Sequence, residues 1–170
     1  MLQKKICMVG VFGTGKTCLV QRYVHSIFSV KYLSTVGVKI DRREAQSNGQ
    51  PVTLVLWDLE GRDAAHDVNP SYVRGAHGVL YVVDGTRRET FDQLFEIQNL
   101  VTNSLGDIPS VVALNKSDLT DEWKLTPADE KRLASAGQFA LKTSAKTGVN
   151  VEAAFQRLAD MTVAPNGARR

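Results

Sequence analysis

Residues Gly10 to Thr17 read GVFGTGKT, and the fold turns on how that stretch is understood. It fits G-x-x-x-x-G-K-[ST] and stands between the apolar run KICMVG and an amphipathic segment from Lys16 to Phe28. Strand, glycine loop, helix is the order in which a chain wraps an anion. Glycines let successive backbone N–H groups close on a phosphate, with the helix N-terminus behind them. Lys16 then supplies a positive charge, and Thr17 an oxygen for Mg2+.

Outward from this loop, short apolar runs recur as VTLVLWD, GVLYVVD, SVVALN and QFALKTS, mostly rich in β-branched or aromatic residues. They read as core strands. Between them, Glu89 to Leu105, Pro127 to Ala136 and Val149 to Thr162 carry apolar residues at helical spacing, as Phe91, Leu94, Phe95 and Ile97 do. Strands that alternate with helices predict a mostly parallel sheet covered on both faces, because parallel neighbours need crossover connections. Ser47-Asn48-Gly49-Gln50 interrupts the alternation with a hairpin signal, which predicts one antiparallel edge strand.

The loop alone is common to kinases, ATPases and GTPases; the base is named further on. NKSD, Asn115 to Asp118, ends one strand, and TSAK, Thr143 to Lys146, ends the next. The Asp118 carboxylate can accept from both N1–H and the 2-amino group of guanine, a donor pair that adenine does not offer in that arrangement. Strand ends along one edge of such a sheet form the ligand crevice, so both loops can close on one base.

With these motifs in place the sequence resembles the Ras superfamily of small GTPases, most closely its Rab branch, from Lys4 to about Met161. STVGVKI, YVRGAHGVLYVVDGT and TSAKTGVNVEAAF follow the Rab pattern almost residue by residue. The resemblance implies an α/β P-loop G domain over residues 1–164 with a short tail at 165–170, and a six-stranded, mostly parallel sheet with one antiparallel edge strand. It implies GTP/GDP and Mg2+ as ligands. Gly10, Phe12, Gly13, Thr14, Gly15, Lys16, Thr17 and Cys18 would then surround the phosphates. Phe28 and the Lys116 stem would flank the base, Asn115 and Asp118 would fix it, and Leu119, Ser144, Ala145 and Lys146 would support the pocket. Tyr32 and Thr35 would reach the phosphates, with Thr17, Thr35 and Asp58 serving the metal. The N–H of Gly61 would sense the γ-phosphate, and Lys16, Thr35, Gly61 and residue 62 would carry the hydrolysis. An order–disorder switch follows, read by effectors and set by exchange factors and GTPase activators.

Several residues depart from that pattern. Arg62 stands where a glutamine normally orients the attacking water; arginine has no acceptor, so intrinsic hydrolysis should be slow. Phe12 replaces a small residue and should crowd the entry of an activator's arginine. Leu59 and Glu60 replace the usual threonine and alanine, and Glu60 is placed to pair with Arg62. The ending MTVAPNGARR holds no cysteine for prenylation, and no glycine follows Met1, so no lipid anchor is expected. A prokaryotic Rab-like protein would suit that feature.

Composition narrows the rest. The chain has 170 residues, 43% of them hydrophobic, enough for one two-sided core, and no apolar run approaches the length that spans a bilayer. Lys+Arg number 21 against 18 Asp+Glu, and the basic residues are scattered, which predicts no nucleic-acid footprint. Cys7 and Cys18 stand in apolar surroundings without metal or disulfide-framework spacing, and no secretory signal opens the chain; a monomeric cytoplasmic protein is expected. His25, His66 and His77 lack ligand spacing, and Trp57 and Tyr72 can serve either core packing or an aromatic surface for effectors. A guanine-nucleotide switch with slow hydrolysis leads; a GTP-binding adaptor with negligible hydrolysis is the alternative. A phosphotransferase would need an acceptor lid that the sequence does not offer.

Overall fold

The computed structural model describes residues 2–28, 37–59 and 70–163. Tyr32, Thr35, Glu60, Gly61, Arg62, His66 and the tail from 164 onward lie outside the described residues.

Six strands form one sheet in the order β2-β3-β1-β4-β5-β6. The strands are β1 (Leu2–Val9), β2 (Val38–Ser47), β3 (Gln50–Leu59), β4 (Gly78–Asp84), β5 (Ser110–Asn115) and β6 (Phe139–Lys142). Only β2 and β3 pair antiparallel, Val38 opposite Leu59 through Ser47 opposite Gln50. The hairpin closes at Asn48 and Gly49, with φ of 51° and 79°, the left-handed values a two-residue turn requires. Every other pairing is parallel. The helices are α1 (Lys16–His25), α2 (Pro70–Val73), α3 (Arg88–Leu105), α4 (Pro127–Ser135) and α5 (Val151–Thr162).

Because the central strands are covered on both faces, their residues are buried without alternation: all seven of β4 are buried. One face packs Ile6, Met8, Leu54, Leu80 and Val111 against α1 and α5, where Tyr23 stacks on Phe155 at 4.1 Å between centroids. The other packs Cys7, Val79, Tyr81 and Leu114 against Phe91, Leu94 and Leu133. The six-stranded sheet with its antiparallel edge is the one the sequence predicts.

Element ends differ more. The amphipathic run predicts a first helix to Phe28, but α1 stops at His25, because Ser26 turns left-handed at φ 55° and donates its N–H back to Arg22 O. Phe28 still packs against the first core cluster, so the apolar period outlasts the helix. The last helix begins at Val151 rather than Val149, after a left-handed Asn150. The short α2 and a 3₁₀ turn at Thr120–Glu122 carry too few residues to show a period.

Candidate functional site

At the carboxyl end of β1 the chain leaves the sheet at Gly10, where a side chain would put its Cβ 2.4 Å from the Val82 carbonyl oxygen. No residue but glycine fits that crossing. The loop then turns through Gly13 (φ 79°) and Gly15 (φ 102°) into α1. Thr14, fully buried, donates its hydroxyl to Val11 O at 2.9 Å. Lys16 curls back over the loop and donates to Gly10 O at 3.1 Å and Val11 O at 3.3 Å. Burial pushes the Lys16 ammonium down to about 8, against the opposing pull of Asp58. A cation held at such a cost is drawn toward an anion.

Three side chains hold successive loop carbonyls from outside. Asn115, at the end of β5, donates to Thr14 O at 3.0 Å and accepts from the Thr143 hydroxyl at 3.1 Å. Asn115 can come that close because Gly15 has no Cβ; one there would meet Asn115 Nδ2 at 2.3 Å. Lys116 donates to Gly13 O at 3.0 Å and pairs with Asp84 at 2.8 Å. Its backbone is left-handed (φ 67°), a strain of about 1–2 kcal/mol in a residue with a Cβ, offset by these two contacts. Arg87 donates to Phe12 O at 2.9 Å.

Thr17 and Asp58 meet across the loop, the hydroxyl donating to Oδ2 at 2.5 Å. Asp58 is 1% exposed. One buried carboxylate and one hydroxyl, both hard oxygen donors, match the partial protein shell of Mg2+, whose remaining positions are filled by water and phosphate oxygens. Among the described residues no group of three or more His, Cys, Asp and Glu could form an all-protein cage.

The other half of the site is built from β5 and the loop after β6. Asp118 accepts from the buried Ser144 hydroxyl at 2.8 Å through Oδ1. The same hydroxyl accepts the Thr147 N–H at 3.1 Å, which fixes the loop around Ala145. From α1, Arg22 donates Nε to Ala145 O at 2.7 Å and Nη2 to Lys146 O. Leu119 and Lys146 are exposed at the rim, and Phe28 is half-buried. Cys18 lies half-buried just inside α1, its thiol pushed up by burial.

Residues 10–17, Asp58, residues 115–118 and residues 144–146 thus lie at the carboxyl ends of β1, β3, β5 and β6, while Phe28 packs against the first core cluster. Sequence reasoning missed Asp84, Arg22 and Arg87. Asp84 carries a signal, since a carboxylate ending a core strand at the crevice is unusual. The two arginines carry none, because their contacts lie 123 and 75 residues away.

Trp57 and Tyr72 are both half-buried and pack against the second core cluster, and the Lys5 ammonium lies 3.7 Å from the Trp57 ring centroid. Cys7 is buried, its thiol pushed up to about 12. His77 Nδ1 accepts the Lys5 N–H at 2.9 Å, and the half-exposed His25 faces Asp41 at 3.7 Å. No helix among the described residues is long and apolar enough to cross a membrane.

The profile of the Ras family matches residues 5–164. Ras-related protein Rab-8B of Homo sapiens is 32% identical over 157 residues, covering 91% of this chain and 76% of its own length. Ras-related protein Rab-8 of Diplobatis ommata is 32% identical over 157 residues, with 75% of its length covered. Ras-related protein Rab-8A of Bos taurus is 31% identical over the same span.

Proposed function

The chain belongs to the Ras family and is a Rab-like, guanine-nucleotide-binding switch GTPase, and from that premise we propose how its own residues bind, hold and hydrolyse the nucleotide. The observation that carries the proposal is the joining of the two loops. Asn115 and Lys116 grip the phosphate loop while Asp118, three residues after Asn115, is aimed by Ser144. One strand end thus positions phosphate and base contacts together.

In this reading the backbone N–H groups of the loop and the Lys16 ammonium bind the phosphates. Asp118 accepts from the guanine edge through its free lone pairs, while Phe28 and the Lys116 stem flank the ring. Thr17, Asp58 and Thr35 hold Mg2+, which when bound neutralises charge on the β- and γ-phosphates. Thr35 and Gly61 contact the γ-phosphate and hold the two switch segments that effectors, exchange factors and activators read. Arg62 leaves the attacking water without its usual acceptor, and hydrolysis is correspondingly slow.

Calorimetric titration in Mg2+ with GDP and then ADP tests the assignment. GDP should bind far more tightly, because the wrong base edge leaves hydrogen bonds at Asp118 unmade, each costing roughly 1–3 kcal/mol. Comparable affinities would overturn it. Arg62 also favours a second reading, an adaptor that binds GTP without useful turnover, and single-turnover phosphate release separates the two.

A further inference from the structure

Arg87 belongs to none of the nucleotide motifs, yet it touches the phosphate loop directly. It stands between β4 and α3, where its backbone is fixed on both sides: its N–H donates to Asp84 O at 3.0 Å, and its carbonyl accepts from the Thr90 hydroxyl at 2.8 Å. From that anchor Nη1 reaches Phe12 O at 2.9 Å and Nε meets Glu89 at 3.1 Å.

The peptide it grips is one that can turn over. Among the described residues every peptide is trans, so the Phe12 carbonyl and the Gly13 N–H lie in one plane and point in opposite directions within it. Rotating that plane changes φ of residue 13, and glycine accepts either sign of φ at little cost. Gly13 at φ 79° therefore does not lock the plane by itself. The next two carbonyls are held from outside by Lys116 and Asn115. The first of the three is held by Arg87.

Resting on the guanine-nucleotide reading above, we infer that Arg87 is a positioning residue for the bound phosphates. By keeping the Phe12 carbonyl outward it keeps the Gly13 N–H turned into the loop. The exposed pair with Glu89, 37% and 59% exposed, is too weak to be the reason for the arrangement; it orients the guanidinium.

Release of a fluorescent GDP analogue into excess GDP, with Mg2+ present, tests this in the wild type and in Arg87→Ala, Arg87→Lys and Glu89→Gln. Arg87→Ala should release nucleotide about five- to tenfold faster, the worth of one hydrogen bond to a backbone carbonyl. Arg87→Lys, which keeps one donor, should fall between, and Glu89→Gln should stay within about twofold of wild type. In the GDP-bound protein the Gly13 amide proton should move upfield in Arg87→Ala while that of Gly15 stays in place, and the melting temperature without nucleotide should hardly change. Wild-type release by Arg87→Ala, or equal acceleration by Glu89→Gln, overturns the inference. So does an equal loss of melting temperature with and without GDP. If the wild type itself fails to bind GDP, the fault lies with the nucleotide assignment.

Discussion

The Asn115 carboxamide nitrogen lies 3.0 Å from the Thr14 carbonyl oxygen, although 101 residues separate them, and both groups are buried. Asn115 therefore braces the loop between β1 and α1, whatever else it does at the base. Asn115→Ala should weaken GDP binding and also lower the melting temperature without nucleotide, since it strands a buried carbonyl at about 1–3 kcal/mol. Differential scanning calorimetry with and without GDP measures both effects.

Asp118→Asn should behave differently. If Asp118 accepts from the base as proposed, the substitution replaces an acceptor with a group half donor, so affinity for guanine nucleotides should drop by about tenfold or more while the nucleotide-free protein melts almost unchanged. A large fall in the melting temperature of this variant would show that Asp118 serves mainly to hold Ser144.

Proton uptake gives a third expectation. The Lys16 pKa is lowered from 10.5 to about 8 in the fold. The charged form is thus disfavoured by folding, and below pH 8 it subtracts stability. That penalty is relieved as pH rises from about 8 to 10.5, the interval in which the unfolded chain still holds the proton. Phosphate oxygens placed over Lys16, as proposed, would restore the charged form, so GDP binding near pH 8 should take up a fraction of a proton at Lys16 and less toward pH 7. Titration calorimetry in buffers of different ionisation enthalpy reads the uptake directly, and Lys16→Gln supplies the background from other groups.

Chelation tests the pairing of Thr17 with Asp58. In the wild type, removing Mg2+ with a chelator should speed GDP release markedly. In Thr17→Ala release should already be fast, and the chelator should add little. A variant that stays as chelator-sensitive as the wild type would place the metal elsewhere.

Hydrolysis tests the residues after Asp58. Single-turnover phosphate release should not exceed the order of 10⁻⁴ s⁻¹ that unassisted Ras-type hydrolysis shows. Arg62→Gln should raise it, and adding Phe12→Gly should raise it further. Slower release in Arg62→Gln at unchanged GTP affinity would instead make Arg62 a built-in catalytic arginine.

How much of this was legible in the sequence depends on whether the information is local. GVFGTGKT declares its loop because the whole device lies within eight residues, and Asn48-Gly49 declares the hairpin because the turn needs two left-handed residues. Runs such as GVLYVVD declare central strands because both faces are buried. The end of α1 was hidden, because Ser26 turns left-handed without a glycine to announce it and Phe28 prolongs the apolar period. Asn115 and Asp118 were legible as a motif, but the division of labour between them was not, since it depends on which group meets Thr14 O and which meets Ser144.

Helix α1 begins at Lys16, which lies over the phosphate loop, and six positions later Arg22 holds the carbonyls of Ala145 and Lys146. Six residues of helix span about 9 Å along the axis. The helix thus fixes the spacing between the loop after β1 and the loop after β6, set by backbone hydrogen bonds that do not stretch. On the proposed nucleotide reading, guanosine alone or pyrophosphate alone would engage one end and gain nothing from the spacing, whereas a nucleoside diphosphate would engage both, its second contact forming at the effective concentration the helix imposes. One residue inserted between Lys16 and Arg22 would lengthen that spacing by only about 1.5 Å, but would swing the guanidinium some 100° about the axis and away from the carbonyls of Ala145 and Lys146.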